Sequence, residues 1–133
     1  NYINLANLYR SLGKEHVEAS TLQNGLKNNP QSALVNYAEG MRLIRAQDIE
    51  TAVTHLTRAN ELEPRNSNYL YILILALDKA GNTQRAVEIL KDKVKAVDNQ
   101  FELLQLGLNF SQKLGLRIEY THFQNELKKA QSK

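Results

Sequence analysis

Apolar residues return along this chain at the three-to-four-residue step of a helix, and the helical stretches fall into pairs with short polar turns between them. Leu70, Leu73 and Leu77 form one stripe, Ala86 and Leu90 the next, and Ala52, Leu56 and Ala59 an earlier one at steps of 4 and 3. The pattern predicts helices at residues 2–12, 15–28, 33–46, 49–62, 67–80, 83–96, 100–114 and 117–131. It also repeats. Gly13, Gln47, Gly81 and Gly115 stand 34 residues apart, as do Pro30, Pro64 and Asp98. The expected organisation is a single domain over 1–133 made of repeats at about 1–31, 32–65, 66–99 and 100–133, with no linker or low-complexity segment.

Particular residue types fill the period. Gly40 and Leu43 precede Ala52, Leu56, Ala59 and Pro64, and the third copy puts Leu70, Leu73, Leu77, Gly81, Ala86, Leu90 and Asp98 in corresponding slots. The first copy reads Tyr2, Leu5, Ala6, Tyr9, Gly13, Glu18, Leu22, Gly25 and Pro30, so that Glu18 and Gly25 replace alanines. The fourth keeps Leu104, Leu108 and Gly115 but has Tyr120, Gln124 and Leu127 where alanine, a large apolar residue and alanine are expected. With these residues the chain resembles the tetratricopeptide repeat (TPR) family over essentially its whole length. The resemblance implies an all-α fold, a right-handed superhelical solenoid of antiparallel helix pairs with about four repeats.

Packing explains the slots. Small residues belong where two helix backbones approach most closely, so Gly40 is expected opposite Ala52 and Ala59, with large side chains interlocking around them. One pair cannot bury its own apolar stripe, and stacked neighbours complete the core. Gly81 and Gly115 mark helix ends that need a left-handed residue. Asp48 and Asn82 read as N-caps, and Asn99 with Glu102 reads as a capping box. In the last helix Tyr120, Phe123 and Leu127 share one face, while Arg117, Glu119, Gln124, Asn125 and Lys128 cover the rest, as a terminal cap requires.

Composition narrows the chemistry. A net charge of +3 from 17 basic and 14 acidic residues gives no basic stripe, and Lys128, Lys129 and Lys133 only make the C-terminal end basic, so no nucleic-acid partner is expected. The absence of cysteine excludes disulfides, zinc thiolate sites and cysteine nucleophiles. No apolar run approaches the roughly 18 residues of a membrane span, so no membrane insertion is expected. The chain opens at Asn1 without an initiator methionine and is expected to be a fragment or processed product of a longer one, which leaves the compartment open between cytoplasmic and periplasmic or secreted.

No catalytic, cofactor or metal site is expected. His16, His55 and His122 lie on second helices of different repeats and match no His-x-x-x-His spacing. There is no phosphate loop, nucleophile elbow or kinase signature, and the sequon Asn109, Phe110, Ser111 sits within a predicted helix. Glu39 occupies a slot that Leu5, Leu73 and Gly107 fill elsewhere and that normally packs inward. Arg42, one turn on, offers it a partner. The expectation is instead a local rotation that leaves Glu39 wet, because Leu34, Tyr37, Ala38, Met41 and Ile44 make an apolar face without it.

The resemblance places function on the first helix of each pair, which in that family lines a concave, ligand-binding surface. The corresponding positions here are Ile3, Asn7, Arg10 and Ser11; Leu34, Tyr37, Met41, Ile44 and Arg45; Asn68, Tyr71, Leu75, Asp78 and Lys79; and Glu102, Gln105, Asn109, Gln112 and Lys113. The partner-binding candidates among them are Asn7, Arg10, Tyr37, Met41, Arg45, Tyr71, Leu75, Lys79 and Asn109, with Tyr37 and Tyr71 expected one repeat apart along the groove. The clamp with which some members of the family grip chaperone C-termini is absent. Its positions hold Ile3, Asn7, Ala38, Asn68 and Ile72, or, one repeat on, Tyr37, Met41, Ile72, Glu102 and Leu106, so a less acidic, more apolar ligand is expected. The function expected is a non-enzymatic scaffold that binds a protein, as a peptide or a partner helix. Two alternatives stand beside it. The stretches Asn4 to Gly13 and Tyr69 to Gly81 are similar to repeat regions joined to bacterial secreted multihaem cytochromes, which implies an assembly or regulatory appendage of a larger enzyme, although no Cys-x-x-Cys-His motif occurs. The other is self-association into a homo-oligomer through uncovered solenoid ends, where the first helix would show Ile3, Leu5 and Leu8.

Overall fold

The computed structural model describes residues 2–131; Asn1 and Lys133, named above, lie outside them. Among the described residues the chain forms eight α-helices and no strand. It divides into two compact units, residues 1–63 and 64–133. The first holds α1 (Tyr2–Ser11), α2 (Glu15–Asn28), α3 (Ala33–Arg45) and α4 (Ile49–Leu62). The second holds α5 (Ser67–Lys79), α6 (Thr83–Lys93), a short 3₁₀ turn (Val94–Ala96), α7 (Phe101–Leu114) and α8 (Arg117–Gln131). Each odd helix packs against the even helix that follows it, which is a TPR-like arrangement of adjacent pairs. The helix boundaries follow the sequence pattern closely, apart from α6, whose last turn tightens into the 3₁₀ segment.

The same turn closes all the pairs. The amide N–H groups of Lys14, Asp48, Asn82 and Leu116 donate to the carbonyls of Tyr9, Leu43, Leu77 and Ser111 at 2.8–2.9 Å. Gly13, Gln47, Gly81 and Gly115, one residue earlier, donate to Arg10, Ile44, Asp78 and Gln112 at 2.9–3.1 Å. These paired bonds define a Schellman motif, whose C′ residue must be left-handed. The φ angles at the four C′ positions are 74°, 68°, 81° and 69°. Three are glycines; Gln47 adopts the conformation against its Cβ.

Inside each pair the crossing is set by what stands at the closest approach. A Cβ on Gly40 would fall 2.7 Å from Cγ and Cδ2 of Leu56 and 3.5 Å from the Ala52 carbonyl, so the space at this crossing is occupied by Leu56 and the α4 backbone, with Ala59 not among the nearest groups. The fourth repeat solves the same problem one residue earlier on both helices. A Cβ on Gly107 would meet the Phe123 ring at 2.7 Å, and Phe123 is fully buried while Gln124 is exposed. This shift explains why the fourth copy reads as degenerate against a fixed register. Ala6, Leu22, Leu43, Ala52, Leu56 and Ala59 are buried in the first unit, and Leu70, Leu73, Leu77, Ala86, Leu90, Leu103 and Leu104 in the second.

The caps differ in part from expectation. Asp48 accepts from the Thr51 N–H at 3.4 Å, but Asn82 stands at an N-cap without a side-chain bond, and the Thr83 hydroxyl donates to Asp78 instead. The Asn99–Glu102 capping box does not form, because the N-cap of α7 is Gln100, whose side chain donates to the Lys95 carbonyl. The 34-residue frame accounts for the difference: Ser32 and Asn66 occupy the same slot and do cap, accepting from the N–H groups of Val35 and Tyr69 at 3.2 and 3.1 Å.

A left-handed non-glycine residue costs about 1–2 kcal/mol, while glycine adds up to about 1 kcal/mol of unfolded-state entropy. Gln47→Gly is therefore expected to stabilise the protein by roughly 0.5–1 kcal/mol, read as a higher urea midpoint at unchanged slope. An unchanged or lower midpoint contradicts the assignment of strain to this turn.

Candidate functional site

Three helices of the first unit enclose a cavity of about 310 Å³. From α1 come Ile3, Ala6, Asn7 and Arg10, spaced to share one helical face; from α3 come Leu34, Tyr37, Ala38, Met41 and Arg45; Glu18 and Leu22 of α2 complete the lining. Five of the nine partner-binding candidates, Asn7, Arg10, Tyr37, Met41 and Arg45, therefore meet around one space. Tyr71 belongs to the second unit, where it lines a smaller cavity of about 210 Å³ with Ser67, Asn68, Asn99, Glu102 and Leu103. Leu75, Lys79 and Asn109 line neither of these cavities. Ser11 leaves the groove set as well, its hydroxyl donating to the Leu8 carbonyl at 2.8 Å.

The electrostatics of the first unit rest on two buried carboxylates. Glu18, on the face of α2 where the second and third repeats carry Ala52 and Ala86, has a side chain only 4% exposed, and its Oε2 accepts from Arg45 Nη2 at 2.5 Å. The bond ties α2 to the end of α3, across from one helix pair to the next. Arg45 is 36% exposed, so the pair stands at the wet rim of the cavity on one side and in the protein on the other. The Glu18 Oε1 is buried and has no hydrogen-bond partner. Sequence reasoning missed this pair; its one signal was a carboxylate in an alanine slot.

Glu39 is also buried, which corrects the expectation that it stays wet. Its Oε1 accepts from Arg42 Nε at 2.7 Å and contacts Nη2 of the same guanidinium. No rotation of α3 occurs. The helix has two working faces: Val35, Asn36, Glu39, Gly40 and Leu43 are buried, while Leu34 is exposed and Tyr37, Ala38 and Met41 are half-buried around the cavity. Of the apolar residues that seemed to leave Glu39 outside, Leu34, Tyr37, Ala38 and Met41 line the cavity, while Ile44 does not.

The other residues singled out in the sequence lie apart from the cavity. His16 is exposed, His55 Nδ1 lies 3.2 Å from Asn36 Oδ1, and His122 meets the Phe123 ring edge-on. Among the described residues no group of His, Cys, Asp and Glu is placed to hold a metal ion. Ser111 of the sequon is fully buried within α7. No described helix is long and apolar enough to cross a membrane. Leu5 and Leu8 on α1 and Leu12 just after its end are exposed. On α8, Phe123 is buried, Tyr120 and Leu127 are half-buried, and Arg117, Gln124, Asn125 and Lys128 are exposed.

No protein-family model matches the chain, and neither does any curated protein. Solved structures do. A crystal structure of MamA superposes with a TM-score of 0.75 at 21% identity, covering 98% of this chain and 79% of that one. A second MamA crystal structure gives 0.75 at 20% identity over 95% and 69% of the two chains, and MamA MSR-1 C2 gives 0.70 at 22% over 98% and 76%. The shared property is the fold, an all-helical array of TPR-like pairs.

Replacing a buried ion pair by apolar groups is often neutral or stabilising, whereas removing one partner strands the other at about 3–5 kcal/mol. Glu39→Leu restores the residue found at Leu5 and Leu73, and Arg42 can extend to water along its apolar stem. Glu39→Leu is expected to keep or raise the denaturant midpoint, while Arg42→Met, which strands Glu39, should lower stability by about 3 kcal/mol. A large loss in Glu39→Leu would show that the pair itself holds α3.

Proposed function

We propose that this chain is a non-catalytic protein-binding module that holds a peptide or a helix of a partner in the cavity formed by α1, α2 and α3. The observation that carries the reading is the composition of that space. Ile3, Leu22, Leu34, Tyr37 and Met41 supply apolar surface, and Asn7, Arg10 and Arg45 surround it with polar groups. An apolar floor with a few convergent polar groups is the usual make-up of a recognition site. Tyrosine and methionine suit it further, since the first is a frequent binding anchor and the second adapts its shape to a ligand. The fold shared with MamA is compatible with this use and does not by itself assign it.

The test uses a phage-displayed random-peptide library panned on the immobilised protein, with the enriched peptides synthesised and titrated. Truncating an aromatic anchor typically costs upward of about 1–2 kcal/mol, and about 1.4 kcal/mol is a decade in affinity. Tyr37→Ala should therefore weaken the selected peptides about tenfold while leaving the helical circular dichroism intact. Equal affinity for the wild type and a folded Tyr37→Ala would move the binding surface away from this cavity.

A further inference from the structure

The Glu18 Oε1 is the one buried, unpartnered side-chain polar atom, among the described residues, that belongs to a residue lining the α1–α2–α3 cavity. Glu39 Oε2, both amide atoms of Asn60 and Ser111 Oγ are also unpartnered, but none of their residues lines this space. A carboxylate oxygen accepts and never donates, so whatever completes Glu18 brings an N–H or O–H. Leaving a buried acceptor unmade is costly, and more so for a charged one. The terminal torsion of a glutamate is soft, so the Glu18 carboxylate can turn toward a donor seated in the cavity.

The surroundings choose among donors. Arg45 already holds the carboxylate and Arg10 lines the same cavity, so a lysine or arginine from the partner would enter a space that carries two guanidinium groups. An acidic side chain would meet Glu18 itself. Serine, threonine and the amides carry neutral donors but would leave Ile3, Leu34 and Met41 uncovered. A ring with one donor satisfies every wall at once: an apolar body, a single N–H or O–H, and a π face that attracts guanidinium. At about 310 Å³ the cavity sits at the small end of ligand pockets, which run from about 300 to 1,000 Å³, room for a side chain more than for a cofactor.

We infer that the cavity is a specificity pocket for a single tryptophan or tyrosine side chain of the partner, its N–H or O–H donated to Glu18 Oε1 and its ring held between the α1 and α3 walls. The inference rests on the protein-binding reading above and goes beyond it by naming the residue recognised.

Met41 is the only methionine in the sequence, so a methyl-labelled sample gives one signal at the pocket wall. N-acetyl-tryptophanamide, its 1-methylindole analogue, N-acetyl-phenylalaninamide and N-acetyl-lysinamide are titrated against the wild-type protein, so no variant has to fold. The tryptophan amide is expected to shift the Met41 methyl saturably. The methylated and phenylalanine probes, which lack the donor, should require about tenfold higher concentration, and the lysine probe should bind more weakly than tryptophan. Equal binding of the donor-free probes, tighter binding of lysine, or an unmoved Met41 signal each overturns the inference. If peptides selected on phage still depend on Tyr37 when that happens, the binding module stands and only its donor-reading pocket falls. If the peptides are insensitive to Tyr37 as well, both fall together.

Discussion

Close approach of two helix backbones is the constraint on which this structure depends. At 2.7 Å from a Cβ that is not there, Leu56 fills the space beside Gly40 and the Phe123 ring fills the space beside Gly107. Larger residues at either glycine would spread the pair and open voids in a core whose members are otherwise fully covered. The left-handed turn after each odd helix then fixes where the return helix starts, and the same pair of backbone bonds recurs at each turn. A fixed crossing and a fixed turn together determine which residues of an odd helix face its partner and which remain for a groove.

On that scaffold the first unit departs from the repeat in a way that shapes the cavity. Where the second and third copies bury Ala52 and Ala86, the first buries the carboxylate of Glu18, and an arginine from the following pair reaches back to it. Such a pair is a poor source of stability, since the cost of drying two charges roughly cancels their attraction. Its geometric effect is larger. It joins the floor of the cavity to the end of α3 and leaves one oxygen without a donor. By contrast, the Arg65–Asp98 pair, with side chains 79% and 65% exposed, is screened by solvent and contributes little.

Much of the fold was legible in the sequence because the repeat states the same facts several times. Gly13, Gly81 and Gly115 announce their turns, and Gln47 is readable only because it stands in their frame. Buried slots such as Leu73 and Ala86 follow from periodicity alone. What periodicity could not reveal is a change made on two helices together, as with Gly107 and Phe123, or a contact between residues 27 apart, as with Glu18 and Arg45. Glu39 was misread for a related reason. Its helix has an apolar face toward the cavity beside its core face, and hydrophobicity does not distinguish them. The candidates on α1 and α3 did come together around one cavity, because α3 packs against both helices of the preceding pair.

The organisation of the cavity depends on Glu18 and Arg45 acting as a unit, and a double-mutant cycle measures that directly. Glu18→Ala, Arg45→Ala and the double variant would be unfolded in urea at fixed pH and salt. Removing Arg45 alone leaves a buried charge unpaired, so the Arg45→Ala loss should be largely relieved when Glu18→Ala is added, giving a coupling of about 2 kcal/mol. Losses that add to within about 0.5 kcal/mol would mean that the two side chains are independent, and that the cavity is not organised by them.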